Sequence, residues 1–170
     1  MIIALCGPSG SGKTTLIDEL VMQVPEIKKI LSTTSKDTRL DDYHKVSREE
    51  FIQMIENDAF IEYTEYGGNF YGLTKESANV DIGIKAFDIN GIKNLKAKGI
   101  DVLSIFVYRE TEKLIETINE RPVPDEEKRK RISQLPDEQK NRYDASIDVV
   151  LEVIEGDIQG TIERLKEIIL

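Results

Sequence analysis

The sequence predicts an α/β fold, a parallel sheet covered by helices on both faces to give a three-layer α/β/α core. Three observations predict it. Short apolar runs alternate with amphipathic helical stretches from end to end of the chain, the pattern that buries parallel strands between helices. The first apolar run, Ile2-Ile3-Ala4-Leu5-Cys6, leads straight into a glycine-rich turn and then a helical pattern. The alternation is interrupted across residues 33–79, where a polar loop and a Phe/Tyr-rich alternating stretch replace a strand–helix unit.

The turn is Gly7-Pro8-Ser9-Gly10-Ser11-Gly12-Lys13-Thr14. It matches G-x-x-x-x-G-K-[ST] and makes the core one of the P-loop NTPase type. Glycine permits positive φ and close backbone approach. Successive N–H groups can then line one concavity around phosphate oxygens, and the helix opening at Lys13 adds its positive end. In this reading Lys13 pairs the β- and γ-phosphates and the Thr14 hydroxyl is a Mg²⁺ ligand.

The first helix is expected to end near Pro25, and residues 27–32 read as a second strand. Residues 33–45 turn polar and read as a loop. Ser47-Arg48-Glu49-Glu50 forms a capping box before a helix carrying Phe51, Ile52, Met54 and Ile55. Residues 59–66 alternate, and with Gly67-Gly68-Asn69 and Phe70-Tyr71 they predict a hairpin. Thr74 opens a short helix. Residues 82–87 are a buried strand ending at Asp88, followed by a helix with Ile92, Leu95 and Ala97 that stops at Gly99. Residues 102–107 form the clearest strand, and Thr111 opens a helix with Leu114, Ile115 and Ile118. Pro122 and Pro124 break the pattern. The charged helix after them is expected to end before Pro136. Residues 147–153 are the last strand and 158–170 the last helix. One domain follows, with a core of 1–32, 80–119 and 142–170. The insertion 33–79 lies over the carboxyl edge of the sheet, where α/β sites sit, and 120–141 form a lid.

Composition narrows the function classes. The 170-residue chain carries a net charge of −9, which disfavours nucleic-acid and membrane surfaces as partners. Apolar residues at 39% and charged ones at 32% suit a soluble globular domain, and no stretch approaches a membrane span. Cys6 is the single cysteine and lies in the first strand, so it reads as a buried small apolar residue, in keeping with a reducing cytoplasm.

Beyond the P-loop, Asp88 ends a buried strand and reads either as the cap of the next helix or as a carboxylate near the metal or a substrate phosphate. Arg121, Lys128, Arg129, Lys130 and Arg131 make one dense basic cluster in an acidic chain. Arg121 and Arg131 are the candidates for closing on a transferred phosphoryl group, and Lys128, Arg129 and Lys130 are expected to be solvated. Tyr43, Glu62, Tyr63, Tyr66 and Tyr71 crowd one region, where hydroxyls could donate to a phosphate and a carboxylate could accept from a purine. His44, the only histidine, has no partner pattern for a metal site.

These blocks resemble the guanylate kinase family. The resemblance lies in the P-loop through Leu16, in Asp42-Tyr43-His44-Lys45-Val46-Ser47-Arg48-Glu49-Glu50-Phe51, in Phe60-Ile61-Glu62-Tyr63 and in Gly68-Asn69-Phe70-Tyr71-Gly72. It covers nearly the whole chain. It implies a nucleoside monophosphate kinase that moves a phosphoryl group from ATP to GMP or dGMP with Mg²⁺. Ser9, Gly10, Ser11, Gly12, Lys13, Thr14 and Thr15 would hold ATP, with Thr14 on the metal. Tyr43 and Tyr71 would hold the acceptor phosphate and Glu62 would read the base. Ser32, Arg39 and Asp88 complete the acceptor site, and Lys13, Arg121 and Arg131 are the catalytic cations. The departures are specific. A loop that carries two arginines in the family is shorter here and keeps Arg39. Leu31 and Leu73 stand where the family has hydroxyl donors to guanine O6, and Thr117 stands where it has a lid arginine. Another acceptor, a different dNMP or ribose 1,5-bisphosphate, is therefore a second reading, and a non-catalytic binding module a third. The enzyme is expected as a monomer or homodimer.

Overall fold

Strand β1 (Ile2–Cys6) runs through the middle of a five-stranded sheet, and all five of its residues are buried. The computed structural model describes residues 1–37 and 43–170, so the expectation for Arg39 lies outside the described residues. The two faces of β1 feed two layers. Ile3 and Leu5 pack with Leu16, Ile17 and Leu20 of α1 (Lys13–Gln23) and with Ile162 and Leu165 of α7 (Ile158–Ile169). Ile2, Ala4 and Cys6 pack with Ile92 and Leu95 of α4 (Ile89–Ala97). A strand covered on both faces is apolar at every position rather than at alternate ones. The sheet order is β2 (Ile27–Lys29), β7 (Ile82–Ala86), β1, β8 (Val102–Tyr108), β9 (Val149–Glu152), with every pairing parallel. This is the predicted core, and the turns after β1, β7 and β8 all open on its carboxyl edge.

The region after β2 differs from the expectation. The single strand predicted over 27–32 is two strands in two sheets. Ile30 still donates its N–H to Ile84 O at 2.9 Å. The chain then leaves the core, and β3 (Ser32–Thr34) joins a second sheet of order β4 (Tyr43–Lys45), β3, β6 (Asn69–Thr74), β5 (Phe60–Tyr66). The stretch read as a polar loop thus supplies two strands, β3 and β4, paired in parallel. Thr33 and Thr34 are buried despite their hydroxyls, and that of Thr34 donates to Phe70 O at 2.9 Å and accepts from Lys36 N. A satisfied threonine is an ordinary strand residue.

The β5–β6 hairpin closes through Gly67 and Gly68, at φ 58° and 76° with Tyr66 opposite Asn69. Two positive φ values match the right-handed twist of the strands. Helix α2 (Arg48–Glu56) starts where its cap predicts, with the Ser47 hydroxyl accepting from Glu50 N at 3.0 Å. Its Phe51 stacks on Phe60 and Phe70 at 4.4 and 5.1 Å between ring centres, which fixes the helix on the hairpin. Thr74 caps α3 (Lys75–Ala78) in the same way.

The charged helix α6 (Asp125–Lys140) does not stop before Pro136 but runs through it. An interior proline removes one N–H donor and crowds the preceding turn, at about 3 kcal/mol. Here the helix is held on both sides of that defect. Leu135 packs with Leu114 and Ile118 of α5 (Thr111–Asn119), and the Gln139 amide donates to Arg109 O at 2.7 Å. Lys128 also departs from its solvated expectation. Its ammonium donates to Asn119 O at 2.9 Å, at the C-terminal end of α5, where a cation meets the negative end of the helix. Arg129 and Lys130 are exposed as expected.

Candidate active site

The P-loop glycines are required by geometry. A Cβ on Gly7 would lie 2.6 Å from Val107 O, and Gly12 is left-handed at φ 90°. Gly12 precedes α1 with no side chain capping the helix, so the first-turn N–H groups face the loop concavity unclaimed by any cap. Lys13 folds over that concavity. Its Nζ donates to Gly7 O at 2.6 Å, to Pro8 O at 2.9 Å and to Ser11 Oγ at 3.3 Å. Burial pulls the Lys13 ammonium below the usual lysine range, opposed by the nearby Cys6 and Glu138. Glu138 was not singled out in the sequence. One of its carboxylate oxygens is buried and has no hydrogen-bond partner among the described residues.

The two candidate lid arginines converge on the P-loop. Arg121 Nη1 donates to Ser9 Oγ at 3.2 Å, and Arg131 Nη1 donates to the same oxygen at 2.8 Å. Glu127, one turn before Arg131, holds that guanidinium in an ion pair. A cleft of about 450 Å³ opens here, lined by Ser9, Lys13, Thr14, Thr15, Thr117 and Arg121 together with Arg109.

Arg109 was missed in the sequence. Its Nη1 donates to Thr117 Oγ1 at 2.7 Å and to Gly10 O at 3.0 Å, and Glu155 holds the other side of the guanidinium in a bidentate pair. A basic residue just past β8, on the edge where the P-loop opens, was the signal available. The same arginine borders a further cleft of about 380 Å³ between Gly12, Thr15, Val153, Ile154, Gly156 and Ile158. That cleft shares Gly12, Thr15 and Arg109 with the cleft at the phosphate loop.

On the other side of the P-loop lies a cleft of about 360 Å³ lined by Ser32, Glu62, Tyr63, Tyr71, Leu73, Lys85 and Asp88. A β-bulge between Phe60 and Glu62 shifts the register of β5 against β6 next to the Glu62 side chain. Burial pushes the Glu62 carboxyl up from the usual carboxylate range, against Lys98 and Lys85, which pull it down, while Asp88 adds to the rise. Beside it, a smaller cavity of about 210 Å³ is lined by Thr14, Lys29, Ser32, Tyr43, Lys85 and Ala86. The Tyr43 and Tyr71 rings meet edge-on at 6.1 Å across the two.

Asp88 is the helix cap that the sequence offered, and it does not line the cavity beside the metal candidate. Its Oδ1 accepts from Gly91 N at 2.6 Å and caps α4, and it lines the cleft of Glu62 rather than the cavity at Thr14. Tyr66 stands at the hairpin tip, 73% exposed and outside the cleft, and His44 is exposed. Cys6 is buried, and burial pushes its thiol up, as an inert core residue requires. Lys85 was also missed, although a lysine inside the run Ile82-Gly83-Ile84-Lys85-Ala86-Phe87 was visible.

The family model described as guanylate kinase matches residues 1–170. A guanylate kinase of Desulfitobacterium hafniense (strain Y51) is 32% identical over 182 residues, spanning 100% of this chain and 89% of its own. Among solved structures, a guanylate kinase from Anaplasma phagocytophilum superposes with a TM-score of 0.66 at 24% identity, over 99% of this chain and 83% of that one. A shikimate kinase from Acinetobacter baumannii, in complex with shikimate, superposes at 0.54 and 15% identity, over 99% and 92%. At these identities both structures speak for the fold alone.

Proposed function

The chain belongs to the guanylate kinase family, and we propose that it transfers the γ-phosphoryl group of ATP to the phosphate of GMP or dGMP. The observation that carries this is a pair of adjoining cavities. Glu62 and Tyr71 line one, Thr14 and Tyr43 line the other, and Ser32 and Lys85 form their shared wall. An acceptor seated with its base on Glu62 would direct its phosphate toward the tyrosines and the P-loop.

In-line transfer asks for positioning and charge neutralisation rather than a covalent intermediate. The P-loop amides and Lys13 would hold the β- and γ-phosphates, and Arg121 and Arg131 would follow the charge as it spreads. Their present seat on Ser9 supports this, since both guanidinium groups already point at the loop. Residues 120–141 act as the lid, residues 33–79 as the acceptor-binding region, and the cleft beside Ile154 and Gly156 would receive the adenine. The residues at Thr14 fit a magnesium ion carried in by the nucleotide. The Thr14 hydroxyl is exposed on the first turn of α1, and among the described residues no carboxylate lines the cavity beside it. Thr14 would be the residue that holds it. The ion would neutralise charge on the phosphates. No helix among the described residues is long and apolar enough to cross a membrane.

The test is ADP release from Mg·ATP with GMP, dGMP, AMP, dAMP, CMP, dCMP, UMP, dTMP and ribose 1,5-bisphosphate. Turnover confined to GMP and dGMP supports the proposal. The buried Leu73 in the acceptor cleft favours one alternative, a changed acceptor, and turnover on another compound would establish it. Silence across the panel with ATP still bound would leave a binding module.

Arg109 enters the same reading. Its guanidinium donates to the Gly10 carbonyl and to the hydroxyl of Thr117, the position that lacks the lid arginine. Arg109→Met is expected to raise the KM for ATP about tenfold or more and to lower kcat as well, in line with the loss of a charged hydrogen bond. Steady-state kinetics at saturating acceptor check this, and an unchanged ATP dependence would reduce Arg109 to an ion-pair partner of Glu155.

A further inference from the structure

The acceptor cleft contains a cation to which the phosphoryl-transfer chemistry assigns no part. Lys85 sits on β7 opposite Ala4, on the face of the sheet that packs against α4. Its Nζ donates to Ala86 O at 3.0 Å and lies 4.6 Å from the centre of the Phe87 ring. Glu62 and Asp88 line the same cleft and act on Lys85 electrostatically, yet among the described residues no carboxylate forms an ion pair with it. A lysine in an apolar strand without an ion pair destabilises the fold unless something else uses the charge. Burial indeed draws its ammonium below the usual lysine range.

We propose that Lys85 reads the base of the acceptor nucleotide, its ammonium donating to guanine O6 while Glu62 accepts from the N1 and N2 hydrogens. The assignment rests on the guanine-nucleotide reading above. Guanine presents two donors and one acceptor in a row along its pairing edge. Glu62 answers the two donors with a carboxylate. The acceptor needs a donor beside it, and Leu73, buried in the wall of the cleft, cannot supply one. Hydroxyls and amides that line the cleft can, those of Ser32, Thr64, Asn90 and Asn94 among them, and so can Lys85, the one described side chain of the lining that donates without also accepting. They differ in what they reject. A hydroxyl both donates and accepts, so it tolerates the amino group that adenine carries at the same position. An ammonium only donates, so it opposes that amino group and selects the carbonyl. Lys85 is thus a specificity-determining residue that supplies, from another element, the donor that Leu31 and Leu73 do not.

The experiment is calorimetric binding of GMP, IMP and 2-aminopurine riboside 5′-monophosphate to the wild type, Lys85→Met and Lys85→Gln. GMP and IMP carry O6 and the 2-aminopurine nucleotide does not. Lys85→Met is expected to weaken GMP and IMP about 10- to 100-fold, the range of a charged hydrogen bond, and to leave the 2-aminopurine nucleotide within about threefold. Lys85→Gln, a neutral donor of similar length, should show the same pattern with a smaller loss, and it serves if the methionine variant does not fold. ATP binding should be unchanged in both. An equal loss across the three nucleotides would put Lys85 on the acceptor phosphate or in the scaffold and overturn the assignment. So would no loss at all. A wild type that binds ATP but none of the three overturns the guanine reading itself, which separates the two failures.

Discussion

Lys13→Ala is expected to lower kcat for phosphoryl transfer about a thousandfold or more while the protein stays folded. The size follows from preorganised charge at a transferring phosphoryl group, where removing one donor is worth about 100- to 1000-fold and a full positive charge more. The structure shows why no neighbour can substitute. Lys13 Nζ reaches across the loop to Gly7 O and Pro8 O, so it is held over the concavity before any nucleotide arrives. Arg121 and Arg131 approach from the other side through Ser9 and cannot take that position without giving up their own. The side chain contributes little to stability by comparison, because the carbonyls it leaves can be hydrated. Single-turnover kinetics with bound ATP measure the chemical step apart from affinity. Near-normal turnover in the variant would remove the P-loop from the mechanism and with it the kinase reading.

That prediction rests on the part of the molecule most legible from sequence. Gly7 and Gly12 are required by a 2.6 Å approach and a left-handed backbone, and such constraints leave a local signature. The parallel core was equally legible, since a strand buried on both faces is apolar at every residue. What sequence missed is held by long-range contacts. Thr33 and Thr34 read as loop because their hydroxyls look like solvent seekers, and the strand is made by distant partners, β4, β6 and the Phe70 carbonyl 36 positions along from Thr34. Pro136 reads as a helix stop, and only the packing of Leu135 and the Gln139 bond to Arg109 carry the helix past it. Arg109 and Lys85 each follow or interrupt a strand without any motif. Their importance appears only when β7 and β8 flank β1 and bring them to the same edge as the P-loop.

Glu62→Gln is the second large effect, and it falls on selectivity. The amide keeps the shape of the carboxylate but turns one of its two acceptors into a donor that faces the N1 hydrogen of guanine. The expected loss in kcat/KM for GMP is about 100- to 1000-fold, mostly in KM, from one broken charged hydrogen bond and one unpaired group. The KM for ATP should not move, because Glu62 lies in the cleft on the far side of the P-loop. The pH profile gives an independent reading. Desolvation raises the Glu62 carboxyl above the usual range near about 4.3, with Asp88 adding to the rise and Lys98 and Lys85 opposing it. A raised pKa means that the carboxylate takes up its proton earlier as the pH falls. Base reading needs the ionised form, so kcat/KM for GMP should fall on acidification while the pH is still above the range where an ordinary glutamate titrates. The effect belongs to the free enzyme. Bound guanine supplies hydrogen bonds to the ionised form and lowers the pKa again, so kcat at saturating GMP should be flatter. The Glu62→Gln variant should lose that acid limb altogether. A variant that kept both the wild-type preference for GMP and the acid limb would show that the base is read elsewhere in the cleft.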